Sequence, residues 1–117
     1  MTQTLALLLS LAFEVPIVVA LVLWNRWAPG RLVVVLLAAL GATLLTHPLL
    51  WMLDPALLPS WPGGLRYALP EVAIVLIEGA VYAWPAGLGP RRGMLLSLAA
   101  NAFSYGAGLL IDAIASP

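Results

Sequence analysis

The sequence predicts an all-α integral membrane protein, a four-helix bundle with both termini on the outer, non-cytoplasmic side. Three observations lead there: the scarcity of charge, the division of the chain into four apolar blocks, and the placement of the arginines. Only 9% of the 117 residues are charged and 63% are hydrophobic, whereas a soluble domain carries about 25% charged residues. So little charge cannot cover a water-facing surface. Lipid is the expected surrounding.

The apolar blocks run over about 3–24, 32–53, 67–84 and 93–111. A helix needs ~20 residues, at ~1.5 Å rise each, to cross a ~30 Å hydrocarbon core, and each block is near that length. The blocks do not alternate, and four strands cannot close a barrel. Helices are therefore the arrangement that satisfies the backbone in hydrocarbon.

The first block has neither a basic n-region nor a small-residue cleavage site ahead of Trp24, so it reads as a retained span. The second carries His47 and Pro48 near its outer end. The third is the shortest, bracketed by Pro70 and Pro85. That bracket places Glu71 in a first helical turn, where the helix dipole favours an acid. The fourth carries a seam of small and polar residues: Gly93, Ser97, Asn101, Ser104, Gly108 and Asp112. The connections are too short for a further fold, so residues 1–117 read as one transmembrane domain.

Arginines set the orientation. Arg26 and Arg31 lie in the first connection and Arg91 and Arg92 in the third, while the second connection, Asp54–Arg66, holds one arginine and one aspartate. The positive-inside rule puts the first and third connections in the cytoplasm and both termini outside. Trp24, Trp27, Tyr82 and Trp84 then mark the inner boundary, and Trp51, Trp61 and Tyr67 the outer one. The expected location is a bacterial cytoplasmic (inner) membrane.

Composition excludes several classes. There is no cysteine, hence no disulfide and no thiolate chemistry. Five arginines balance five acids, with no lysine, so no basic patch is available for nucleic acid. No metalloprotease, hydrolase or phosphate-loop motif occurs, and one histidine cannot supply a triad. The chain does not read as an enzyme.

The candidate site comes from three glutamates inside apolar runs: Glu14, Glu71 and Glu78. A charged side chain at the centre of a bilayer costs ~2.5–3.5 kcal/mol on insertion scales, and such residues mark ion and proton paths. Helical spacing groups the polar residues into one stripe per span. Gln3, Ser10 and Glu14 share a face of the first, Thr43 and His47 of the second, and Glu71, Glu78 and Tyr82 of the third. Glu14, Glu78, Asn101 and Ser104 fall near mid-membrane and are the expected proton- and solute-binding residues. His47 and Glu71 lie nearer the outer face and form the expected entry. His47, Glu71 and Asp112 are candidate ligands for a divalent metal, the only cofactor considered. Pro16 and Pro48 each free a backbone acceptor within a turn of Glu14 or His47.

In size, in four spans and in a glutamate at position 14, the chain resembles the small multidrug resistance transporters. That resemblance implies dimers exchanging protons for cationic aromatic drugs through Glu14. The third span, LPEVAIVLIEGAVYAW, departs from that family by lacking its glycine-containing kink motif and by carrying two further glutamates. The arginine bias also argues for one fixed orientation.

Three functional readings follow. The first is a small, homo-oligomeric, proton-coupled transporter or ion and solute carrier using intramembrane carboxylates. Four short helices enclose little volume on this view, so its cavity is expected between protomers, along the seam of the fourth span. The second is a non-transporting accessory or assembly subunit, whose polar face binds a partner helix, a pigment or a lipid. The third is intramembrane metal binding.

Overall fold

The computed structural model describes the backbone of residues 3–27, 29–57 and 63–115 and the side chains of residues 4–27, 29–49, 69–111 and 113–115. Four helices follow in chain order: α1 (Gln3–Asn25), α2 (Leu32–Leu57), α3 (Gly63–Ala83) and α4 (Pro90–Ala115). Among the described residues there is no strand. Three helices, α1, α2 and α4, are long and apolar enough to cross a membrane. The third, α3, is 21 residues long, and its described side chains cover only residues 69–83.

The helix ends differ most from expectation around the second connection. Most of the segment expected as an outer loop, Asp54–Arg66, is helical, since α2 continues to Leu57 and α3 begins at Gly63. Pro70 therefore lies inside α3, and Glu71 is eight residues past its start. The first-turn explanation for that glutamate does not hold. Pro16 is likewise inside α1. Its ring is exposed, whereas Glu14 two residues earlier is buried, so the break in the hydrogen-bond ladder falls on the outward face.

Tight turns close the first and third connections. At the end of α1, Arg26 adopts a left-handed φ of 53°. Its N–H donates to the carbonyl of Leu23 and that of Trp27 to the carbonyl of Val22, the paired bonds of a Schellman cap. After α3, Gly87 and Gly89 take φ of 76° and 87°, and the N–H groups of Ala86, Gly87, Leu88 and Gly89 all donate back to carbonyls at the helix end. The α3–α4 hairpin is correspondingly close. A Cβ on Gly93 would meet the Gly79 carbonyl and the Ala83 nitrogen at 2.7 Å, so only glycine permits that backbone approach.

The helices form a closed ring. Each packs on its chain neighbour and α4 packs on α1, but among the described residues neither diagonal pair, α1 with α3 or α2 with α4, brings its backbones within 8 Å. Space is thus left along the axis. Toward the arginine-bearing end it is filled by Val18, Val22, Val35, Ala39, Tyr82, Leu88, Leu96 and Ala100, all buried. Tyr82 is 0% exposed and belongs to this core, which corrects its expected place in an interfacial belt.

Polarity is inverted relative to a soluble bundle. Glu14, Thr43, Thr46, Glu78, Ser97 and Asn101 are buried, while Leu8, Leu23, Val33, Leu37, Leu45, Leu76, Leu98, Leu110 and Ile114 are exposed on the four outer faces. Water would disfavour both halves of that arrangement, because burial of polar groups is costly and burial of apolar ones is favourable. Hydrocarbon outside favours both.

Candidate functional site

Where the apolar core ends, the axis of the ring becomes a cavity of about 200 Å³, lined by side chains from all four helices. Ser10 and Glu14 come from α1, Thr43, Thr46 and His47 from α2, and Glu71, Ile74 and Glu78 from α3. The fourth helix contributes Asn101, Ser104, Tyr105, Gly108 and Leu109. The expectation that the protomer encloses little volume is corrected by this cavity. Its position follows from the ring: without close diagonal approach of the backbones, the residues one helical step beyond the core face one another across open space.

All four residues expected to bind proton or solute, Glu14, Glu78, Asn101 and Ser104, line this one cavity, as do the two of the expected entry, His47 and Glu71. Exposure grades along it. Glu14, Glu78 and Asn101 are buried, Ser10, His47, Glu71, Ser104 and Gly108 are half-buried, and Tyr105 and Leu109 are exposed. The cavity therefore deepens from the end carrying the chain termini and stops at the Tyr82 layer.

Hydrogen bonds tie the acids to the ring. Thr43 Oγ1 donates to Glu14 Oε2 at 2.8 Å. Thr46 Oγ1 lies 2.7 Å from Glu78 Oε1 and Asn101 Nδ2 donates to Glu78 Oε2 at 2.8 Å, so Glu78 joins α2, α3 and α4. Ser97 Oγ donates to the Val75 carbonyl at 2.7 Å, across the same hairpin. At the outer level Ser10 Oγ lies 3.5 Å from His47 Nδ1. The His47 Nε2 and the Tyr82 hydroxyl are buried with no partner among the described residues.

The polar seam of α4 is corrected in two respects. Gly93 and Ser97 face α3 within the same chain, and Asn101, Ser104 and Gly108 face the cavity. These five seam residues are thereby engaged inside the protomer. Asp112 falls outside the described side chains, as do Gln3, Trp51, Trp61 and Tyr67. Among the described residues, no group of three His, Asp or Glu side chains is placed to hold a metal ion.

Sequence reasoning missed Thr46. It lies three residues after Thr43, a spacing that shares a helix face, and helical spacing alone was enough to find it. Ile74, Tyr105 and Leu109 carry no such signal, since any of them fits a lipid-facing stripe.

The far end of the ring holds the charge. Arg26, Arg31, Arg91 and Arg92 are all exposed there, with Trp24 and Trp84 exposed at the same level. The Arg92 guanidinium lies 5.8 Å from the centre of the Trp27 ring, and the Arg31 guanidinium packs against Gly87. Each connection thus reaches across to the other.

No family model, curated protein or solved structure matches this chain. The likeness to the small multidrug resistance transporters accordingly rests on size, span number and Glu14.

Proposed function

We propose that this protein is an integral membrane carrier that exchanges protons for a small cationic solute at the interior cavity, with Glu14 as the exchanging carboxyl. The observation that carries this reading is the convergence of Glu14, Glu71 and Glu78 on one half-open cavity with no arginine among its described lining residues. A low-dielectric cleft lined by one sign of charge concentrates ions of the other sign, and carboxyls without a fixed counter-charge attract protons or cations. An apolar exterior supports the membrane setting.

In this reading the arginine end faces the cytoplasm and the cavity faces outward, with His47 and Glu71 at its half-buried entrance. Asn101 orients Glu78. Passage inward requires the Val18, Val22, Val35, Tyr82 and Leu96 layer to part, since those buried side chains close the axis. The unpartnered Tyr82 hydroxyl would find a hydrogen-bond partner once water entered there.

Purified protein in liposomes loaded with a pH-sensitive dye tests the reading. Addition of a cationic solute outside should move protons across the membrane in wild type and not in Glu14→Gln. Absence of solute-dependent flux in wild type, or its survival in Glu14→Gln, defeats the proposal. Native mass spectrometry of the same preparation reports whether the unit is a homo-oligomer or travels with a larger partner.

A further inference from the structure

The two deep carboxyls are held in different ways. Around Glu78 five atom pairs lie at short hydrogen-bond distance: Thr46 Oγ1 with Ala42 O (2.9 Å) and with Glu78 Oε1 (2.7 Å), Asn101 Nδ2 with Glu78 Oε2 (2.8 Å) and with Ser97 O (2.9 Å), and Ser97 Oγ with Val75 O (2.7 Å). The neighbours supply fewer hydrogens than pairs. Thr46 has one, Ser97 one and the Asn101 amide two. Carbonyl oxygens supply none. A fifth hydrogen on Glu78 Oε1, donated to Thr46 Oγ1 while Thr46 donates to Ala42 O, gives each of the five pairs its own.

We propose that Glu78 is a permanently protonated positioning residue that locks α2, α3 and α4 together, and that proton exchange at the deep end of the cavity belongs to Glu14 alone. Glu14 is held by the Thr43 hydroxyl, and the Ser104 hydroxyl lines the same cavity from α4. A hydroxyl turns to donate to a carboxylate or to accept from a carboxylic acid, so this shell serves either state. The shell of Glu78 does not. Asn101 Nδ2 only donates, and the Thr46 hydrogen is engaged by a backbone carbonyl. Ionising Glu78 would either break the Thr46 hydroxyl bond to Ala42 O, which keeps only its helical N–H bond, or leave Oε1 without a donor in a site where the side chain is 1% exposed.

Among the described residues, every titratable group near Glu78 belongs to the same cavity or to its floor. Glu14 faces it from α1, His47 from α2, and Glu71 and Tyr82 from α3, while α4 presents Asn101, Ser104 and the more distant Tyr105. No arginine is among them to compensate a charge on Glu78. Two acids side by side in low dielectric resist joint ionisation, and the hydrogen count decides which one keeps its proton. The inference stands on this geometry and does not require that the cavity transports.

The test uses the whole protein, ¹³C-labelled at glutamate carboxyl carbons, in micelles. The chain has only three glutamates, so three resonances are expected. Glu14→Gln and Glu71→Gln each remove one, and the survivor belongs to Glu78. Its shift should sit at the carboxylic-acid position at neutral pH and stay there through an alkaline titration in which the Glu14 signal moves. A carboxylate shift for Glu78 at neutral pH, or movement of both signals together, overturns the proposal. As a second variant, Glu78→Gln places an N–H where the acid O–H was and an oxygen opposite Asn101. It should retain the wild-type melting temperature and leave the titration of the Glu14 carboxyl signal where it is in wild type; displacement of that titration in a folded Glu78→Gln protein overturns it as well. Lack of flux in wild type would defeat the carrier reading and leave the carboxyl resonances to decide this one.

Discussion

Thr43 on α2 donates a 2.8 Å hydrogen bond to Glu14 on α1, and both side chains are buried. The pair joins residues 29 apart in sequence and fixes the acid at the mouth of the apolar core. Thr43→Val keeps the shape and removes the donor. The expected loss is about 1 kcal/mol, within the ~0.6–2 kcal/mol range of interhelical bonds in membranes, where the unfolded state also finds partners. Thr43→Ser should restore it. Unfolding midpoints in mixed micelles provide the measurement, and equal midpoints for all three proteins would show that Glu14 does not depend on this donor.

Gly93 and Gly106 lie in one helix and should respond to alanine in opposite directions. A Cβ at 93 meets backbone atoms at 2.7 Å, which cannot swing aside, whereas a Cβ at 106 meets nothing within 4 Å. Gly93→Ala has to spread the α3–α4 hairpin, at about 1–3 kcal/mol for overpacking. Gly106→Ala should be neutral or stabilising by up to ~1 kcal/mol, from helix propensity. The two midpoints, measured side by side against wild type, check the prediction.

Orientation can be read with single cysteines, because the chain has none of its own. A cysteine at Arg91 should react with a membrane-impermeant maleimide only after the cell is opened. One at Ala115, at the other end of α4, should react in intact cells. The reverse pattern would place the cavity mouth on the cytoplasmic side and reverse the proposed direction of entry.

The two connections at the arginine end hold each other through Arg92 on Trp27 and Arg31 on Gly87. Arg92→Gln should cost about 0.5–1 kcal/mol, the value of a cation–π contact at an exposed site. Gly87→Ala should cost more. It puts a side chain on a φ of 76° and drives a Cβ to 2.7 Å from the Arg31 guanidinium. Thermal melts of both variants, with Arg92→Lys as a control that keeps the charge, test the order.

Much of this molecule was legible in its residues. Glu14, Glu78, Asn101 and Ser104 were found by spacing and depth, and they meet in one cavity because helical periodicity in an apolar chain leaves polar groups one face to share. What spacing could not reveal is which polar residue answers which. Ser97 was grouped with Asn101 on one seam, yet it bonds the Val75 carbonyl while Asn101 reaches Glu78. Glu71 was explained by a helix start at Pro70, because proline favours a first turn. Packing carries α3 back to Gly63 instead, a tertiary override of a local preference.

Composition and periodicity alone settle that this chain forms long apolar helices and that its few acids lie inside apolar runs, because hydrophobic content and a repeat of 3.6 are properties of the strand of letters itself. The ring arrangement, the cavity at its centre and the unequal surroundings of Glu14 and Glu78 were decided by the tertiary structure. Whether a single hydroxyl or an amide and an engaged threonine meet a carboxyl depends on contacts between helices far apart in sequence. No spacing within a single helix encodes that choice.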